Sequence, residues 1–483
     1  MMLLFSHEMF SALLPELGLT LLALILLVIS LLKNERINQQ LEWITAAGFT
    51  VIAMAMVLFA RPPAEPQLLW GEAVRFDQVG FIFRLMILAG SALTAVFSKM
   101  EPAFTKKAEF FLLLVISTIG LSLMVVSGNL ITLYLAIETA ALPLYVMAGF
   151  NRESDKSVEA GMKYFLFGAV SSALMLYGFT LLYGFAGTTK LYGMVSAIQQ
   201  NGASSAGVVL AFLLVLAGFT FKMSAVPFHF WAPDVYQGSP TPVSGFLSTV
   251  SKAAGFAAFI RVIVNVFAVG SSQVWMVTIA VVAVLSMFVG NLLAITQKDI
   301  KRMIAYSSIA QAGYVLVGVA TGSELGFSGA LYYLLAYLVT NLAVFAIIHW
   351  VEQKSGSTAI SAFAGLNRRS PGMALLMMLG LLSLGGIPPF AGFFAKVLVF
   401  GSAVKANMVW LAVLGIFNSV IGLYYYLRVM KVMYLDPPTE TQWDYSTTFL
   451  WKIALAVCII GILVLGVVYA PWFNQLLLAA GDF

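Results

Sequence analysis

The chain has 483 residues, of which 61% are hydrophobic and only 10% charged, and a formal net charge of +5. With a mean hydropathy of +0.95, this excludes a soluble globular protein and indicates an all-α polytopic membrane protein, with the lipid bilayer as its first partner. The positive balance falls in connecting loops, so it gives no support for a nucleic-acid partner.

Crossing a hydrocarbon core takes about 20 apolar helical residues, and fourteen such windows follow one another along the chain. They are predicted at 10–32, 41–60, 78–97, 109–127, 129–150, 159–186 and 206–231, then at 242–268, 273–296, 300–321, 326–351, 372–400, 407–434 and 449–470. The first run is too long for a signal h-region and lacks a small-residue cleavage pattern, so it is expected to remain as a helix. With the N-terminus outside, sixteen basic residues share one side, among them Lys33, Arg36, Lys106, Lys107, Arg152, Lys301, Arg368 and Lys431. Only Arg61, Arg75, Lys190 and Lys405 fall on the other side, so the positive-inside rule predicts both termini outside. The longest polar connections are 61–77, 187–205, 352–371 and 435–448, too short for a soluble domain.

Cys458 is the single cysteine, and His7, His229 and His349 are scattered. Those counts argue against a disulfide, an iron-sulfur cluster, a zinc site or a bis-histidine haem. No Gly-rich nucleotide loop follows a strand, so no cofactor is expected in this chain.

Six basic residues remain within spans: Arg84, Lys163, Lys222, Lys252, Arg261 and Lys396, with Glu138 as the one acid deep in an apolar run. A charge at the bilayer centre costs about 2.5–3.5 kcal/mol on insertion scales, so such residues usually face a wet interior and carry function. Glu138 lies in LITLYLAIETAALPLYVMAGF, and the next span opens SVEAGMKYFLFGAV, with Glu159 and Lys163 at i and i+4. A Glu138–Lys163 pair between the two helices is expected, either as part of a charge path or as a static lock. In LAGFTFKMSAVPFHFWAPDVYQG, Pro227 removes a backbone donor five residues after Lys222, which predicts a broken helix. Broken spans are tolerated where freed backbone lines a wet cavity. His229, beyond the break, is either a proton relay or a hydrogen-bonded interfacial histidine.

The eighth span begins SPTPVSGFLSTVSKAAGF, with Pro240 and Pro242 at a helix start and Lys252 about ten residues in, near mid-membrane. Ser244, Ser248 and Ser251 are expected to surround it, with hydroxyls that hold waters or solvate its ammonium. Lysine suits proton exchange because a desolvated ammonium can release its proton, whereas arginine stays charged; Arg261, near the outer end, is expected to snorkel or pair. In the twelfth span, SLGGIPPFAGF predicts a second break directly before Lys396.

The wording Val226, Pro227, Phe228 returns as Ile387, Pro388, Pro389, Phe390, five spans later. An odd spacing inverts the second copy, which predicts two inverted five-helix repeats, each with a broken helix. The expected divisions are an N-terminal three-helix segment at 1–108, repeats at 109–268 and 269–434, and a C-terminal span at 435–483. In the second copy Ser307, Ser308 and Gln311 stand where Glu138 stands in the first.

The stretches FKMSAVPFHFWAPDVYQGSPTPVSGFLSTVSK, QKDIKRMIAYSSIAQAGY and SLGGIPPFAGFFAK, spread over residues 109–434, resemble the antiporter-like membrane subunits of respiratory complex I. The resemblance implies proton translocation across a bacterial inner membrane from cytoplasm to periplasm, driven by electron transfer from NADH to quinone elsewhere in the complex. It implies other membrane-arm subunits as partners, including homologous antiporter-like ones, and places NADH, FMN, iron-sulfur clusters and quinone in partner subunits of the complex. It assigns Glu138 and Lys222 to a pair at the first break, Lys252 to the centre of a polar axis, Lys396 to its end, and Lys163 and His229 to further axis positions. The same motifs serve monovalent cation/proton antiporter complexes, whose sodium site would call for carboxylates.

Overall fold

The computed structural model describes residues 7–32, 39–104, 108–202, 204–267, 272–438 and 447–483. Lys33, Arg36, Lys106 and Lys107 lie outside them, as does most of the connection expected at 435–448. Among the described residues, thirteen helices are long and apolar enough to cross a membrane.

The N-terminal segment comprises α1 (His7–Leu32), α2 (Leu41–Phe59), an antiparallel hairpin of β1 (Gln67–Leu69) and β2 (Val74–Phe76), and α3 (Gln78–Phe97). Then come α4 (Ala108–Val125), α5 (Leu130–Ala148), the long α6 (Asp155–Ala186) and a short α7 (Met194–Gln200). A broken helix follows, α8 (Ser205–Met223) and α9 (Trp231–Gly238). The eighth span is not one continuous α-helix: α10 (Thr241–Phe246) runs through a π-turn at Leu247–Ser251 into α11 (Lys252–Val262) and a second π-turn at Ile263–Phe267.

The remainder contains α12 (Ser272–Ile295), α13 (Ile300–Ala320), α14 (Glu324–Ser355) and a short α15 (Leu366–Arg369). After these come α16 (Pro371–Gly385), α17 (Ala391–Lys405), α18 (Val409–Tyr434), α19 (Phe449–Val467) and α20 (Tyr469–Ala480). The window predicted at 372–400 is therefore two helices of 15 residues each, about 22 Å apiece and too short to cross singly. The hairpin and α20 were not foreseen in the sequence.

Helix starts follow the polar residue before each apolar run. Asp77, Asn129, Ser204, Asp299 and Ser323 each accept from a backbone N–H three residues on, which satisfies donors that the first turn leaves open. The core lies around the eighth, tenth and eleventh spans. Buried shares there reach 89%, 94% and 89%, against 33% for α1 and for α6, which form the rim.

Candidate functional site: a line of buried lysines

Pro227 lacks an N–H, so α8 must end before it, and the chain turns at Ser224 with φ 57° and ψ 38°, a left-handed conformation rare outside glycine. Neighbouring side chains satisfy the backbone freed there. Val226 donates to Ser286 Oγ at 3.0 Å, and the Trp231 indole donates to the Phe221 carbonyl at 3.2 Å. Lys222 occupies the last turn of α8, where the negative end of the helix dipole favours a cation. Its stem crosses Gly255, where a Cβ would stand 3.1 Å from Lys222 Cγ. The ammonium is buried and meets no hydrogen-bond partner among the described residues.

Glu138 is not in hydrogen-bond contact with that ammonium. Its Oε1 accepts from Ser172 Oγ at 2.5 Å. Ser172 and Lys222 line a common cavity of about 10 Å³, room for about one water.

The Glu138–Lys163 pair expected from the sequence is also replaced. Lys163 Nζ lies 2.6 Å from Glu159 and 2.6 Å from Asp234, and Asp234 also accepts from Arg302 at 2.5 Å. The acid that answers Lys163 thus comes from α9, the half-helix beyond the break. His229 lies in the non-helical link before α9, buried, with Nδ1 lacking a partner among the described residues.

Lys252 is 2% exposed, and it does not turn to the serines of its own helix. Nζ donates to the Ser308 carbonyl at 2.8 Å and to Ser308 Oγ at 2.5 Å, both on α13. Ser244 instead donates to the Tyr236 carbonyl at 2.8 Å, and Ser248 accepts from Asn341 at 2.8 Å. The π-turn that ends at Ser251 changes the register of the helix just before Lys252, and such bulges recur at functional sites.

At the second break Gly386 adopts φ +81° and caps α16. Lys396, one turn into α17, reaches back to the open carbonyls of Leu384 at 3.0 Å and Gly385 at 2.9 Å, and to Ser419 Oγ at 2.8 Å. An ammonium at a helix C-terminus satisfies orphan carbonyls and the dipole together. The Tyr314 ring lies 5.1 Å from the same nitrogen, within cation–π range.

Polar side chains line the interval between the last two lysines. Ser307, adjacent to Ser308, shares a hydrogen bond with Tyr426. Gln311 Nε2 donates to Tyr426 at 3.3 Å and to the Leu384 carbonyl at 3.2 Å. That carbonyl is also a Lys396 acceptor.

Two buried ion pairs flank this line. Arg261 binds Asp77 through two hydrogen bonds of 2.7 and 3.1 Å, which answers its expected pairing. Arg84 lies 2.8 Å from Glu16, an acid within the first apolar span, beside Glu138, the one deep in its run. Glu16 escaped notice because it stands near the start of the first span, where an interfacial position is the ordinary reading. Near the basic loops, a polar cavity of about 390 Å³ is lined by Lys301, Glu352, Glu101 and Ser239 among others.

The family model for the NADH:quinone oxidoreductase/Mrp antiporter transmembrane region matches residues 127–422, the stretch that holds both breaks and Lys222, Lys252 and Lys396. The chain belongs to this family. A member from Moorella thermoacetica, the NADH-quinone oxidoreductase subunit N, is 40% identical over 96% of this chain and 96% of its own. A chain of respiratory complex I from Thermus thermophilus superimposes with a TM-score of 0.82 at 32% identity, covering 96% of this chain and 99% of that one. A chain of the Mrp complex from Dietzia sp. gives a TM-score of 0.85 at 21% identity, over 98% of this chain and 97% of its own; that likeness concerns the fold alone.

Proposed function

We propose that this chain is the N-type membrane-arm subunit of a bacterial NADH:quinone oxidoreductase and carries protons along Glu138, Lys222, Lys252 and Lys396, with Lys163 and His229 as supporting polar positions. The subunit N relative, alike over nearly the full length of both chains, supports the assignment to that enzyme. The route from Lys252 through Ser308, Ser307, Tyr426 and Gln311 to the Leu384 carbonyl and Lys396 carries the mechanistic part. Electron transfer from NADH through FMN and iron-sulfur clusters to quinone takes place in partner subunits. This chain supplies side chains that accept and release protons.

The polar cavity beside Lys301 and Glu352 serves as the inlet from the cytoplasm. It adjoins Ser239 and Pro240, where the helix leading to Lys252 begins. Charge at Glu138 reaches Lys222 through Ser172 and the cavity they share. A proton on Lys252 passes to Ser308 and travels by water along Ser307, Tyr426 and Gln311 to Lys396 in its neutral form, whose lone pair takes it up; Lys396 then releases it toward the periplasm. Both termini lie on the periplasmic side, by the distribution of basic residues. Residues 109–268 and 269–434 form two repeats of inverted topology, a reading supported by the recurrence of a proline break at Val226-Pro227 and at Ile387-Pro388-Pro389.

The test uses the assembled enzyme in closed vesicles. Lys252→Met should abolish NADH-driven proton translocation through this subunit, and Lys252→Arg should not restore it, because arginine retains its proton. Unchanged proton-to-electron ratios in both variants would sink the reading. An assembly that lacks flavin and iron-sulfur absorption would overturn the assignment to the oxidoreductase.

A further inference from the structure

A groove of about 700 Å³ lies between the N-terminal ends of α16 and α19, and none of the buried lysines Lys222, Lys252 and Lys396 lines it. Its two ends differ in chemistry. One end holds Ser370, Thr447 and Lys452; the other is lined by Leu376, Leu455 and Ile459. From Thr447 to Ile460 the groove follows α19 for about 20 Å at the helical rise of 1.5 Å per residue, close to the reach of one acyl chain.

The polar end presents an unmet demand for negative charge. Neither the Ser370 nor the Thr448 N-cap makes a side-chain capping bond, and neither first turn contains an acid. Open N–H groups and the positive end of the dipole therefore converge from two helices. Lys452, in the first turn of α19, adds a cation where the dipole disfavours one. Trp451 lines the same groove, and its buried indole nitrogen finds no acceptor among the described residues; the Thr447 hydroxyl likewise has no partner there. A site with open donors and no acid among the described lining residues, at the head of an apolar groove, fits an anionic amphiphile.

We propose that this groove binds one anionic phospholipid, with its phosphate between the helix N-termini, Lys452 and the Trp451 N–H, and one acyl chain along α19. Arg369, whose guanidinium donates to the Ala362 and Ala364 carbonyls at 2.9 and 2.5 Å, secures the loop that bounds the headgroup end. Basic pockets at membrane level recur as headgroup sites. The apolar half of the groove separates a lipid from a free phosphate, which has no use for it.

The experiment uses the purified complex that contains this chain, stripped of lipid by washing in neutral detergent. Phosphatidylglycerol or phosphatidylcholine is then titrated back and bound lipid is counted by native mass spectrometry. The wild type should regain a phosphatidylglycerol that Lys452→Glu binds roughly tenfold more weakly, the scale of one charge-assisted hydrogen bond. Trp451→Phe keeps the ring against Phe97 and removes only the donor, so it should weaken binding without loss of assembly; Lys298→Glu, an exposed charge outside the groove, should change nothing. Equal retention in all variants would overturn the proposal. So would equal binding of phosphatidylcholine, full protection by inorganic phosphate alone, or a partner polypeptide cross-linked into the groove.

Discussion

Lys396 and Gln311 share one acceptor. The Leu384 carbonyl takes the ammonium at 3.0 Å and the carboxamide N–H at 3.2 Å, so the end of the Lys252 route and the last lysine meet on a single oxygen at the tip of α16. Gln311→Leu is isosteric enough to preserve the helix contact but removes the bridge to Tyr426 and Leu384. It also leaves the Tyr333 hydroxyl without its Gln311 acceptor, so proton translocation should fall at least tenfold, the cost of even one lost hydrogen bond of about 1.4 kcal/mol, while the complex still assembles. Proton uptake per NADH oxidised in closed vesicles is the measurement; an unaltered ratio would remove Gln311 from the route.

Gly386 positions the same lysine from the other side. Its φ of +81° disfavours any side chain, and an added Cβ would stand 2.8 Å from Lys396 Cδ and 3.0 Å from Nζ. Gly386→Ala should therefore cost about 1–2 kcal/mol in backbone strain and also displace the ammonium from Leu384 and Gly385. Gly401→Ala, on α17, has open space around the added carbon and serves as the control. A variant of Gly386 that melts with the wild type and pumps normally would refute the argument.

What could be seen in the sequence divides along a physical line. Lys222, Lys252 and Lys396 were legible because a charge in an apolar run is anomalous by itself, and both breaks were legible because proline forbids the helix at its own position. Partners were not. Lys252 has Ser248 and Ser251 within a turn, yet its ammonium goes to Ser308 on another helix; Lys163 answers to Asp234 rather than Glu138. Such choices depend on the rotation of one helix against another and on a π-turn at Leu247–Ser251, neither of which a linear apolar pattern records.

The Arg261–Asp77 pair is fully buried, and Asp77 also caps α3 through Gly80 at 2.8 Å. Removing one partner of such a pair leaves a bare buried charge and costs about 3–5 kcal/mol. Asp77→Leu should therefore lower the thermal midpoint sharply, and the double variant Asp77→Leu with Arg261→Met should recover much of the loss. If the double variant proves as unstable as the two single losses added together, the two groups are not coupled as the geometry implies.

Asp234 ties the half-helix α9 to α6 and α13, and its titration should set the acid limit of that attachment. Burial acts to raise its pKa, but the hydrogen bonds from Lys163 and Arg302 outweigh it and hold the carboxyl below its ordinary 3.8. An acid whose folded pKa is depressed stabilises the fold above its unfolded value, and the contribution fades as pH falls through the folded one. The attachment should thus hold unchanged at neutral pH and loosen only in strong acid. Asp234 is partly exposed, so the contribution is about 1 kcal/mol or less after solvent screening. Amide hydrogen exchange over residues 224–240 should show faster opening in Asp234→Asn at every pH, with the acid-dependent step seen in the wild type abolished. Retention of that step in the variant would place its origin in another group.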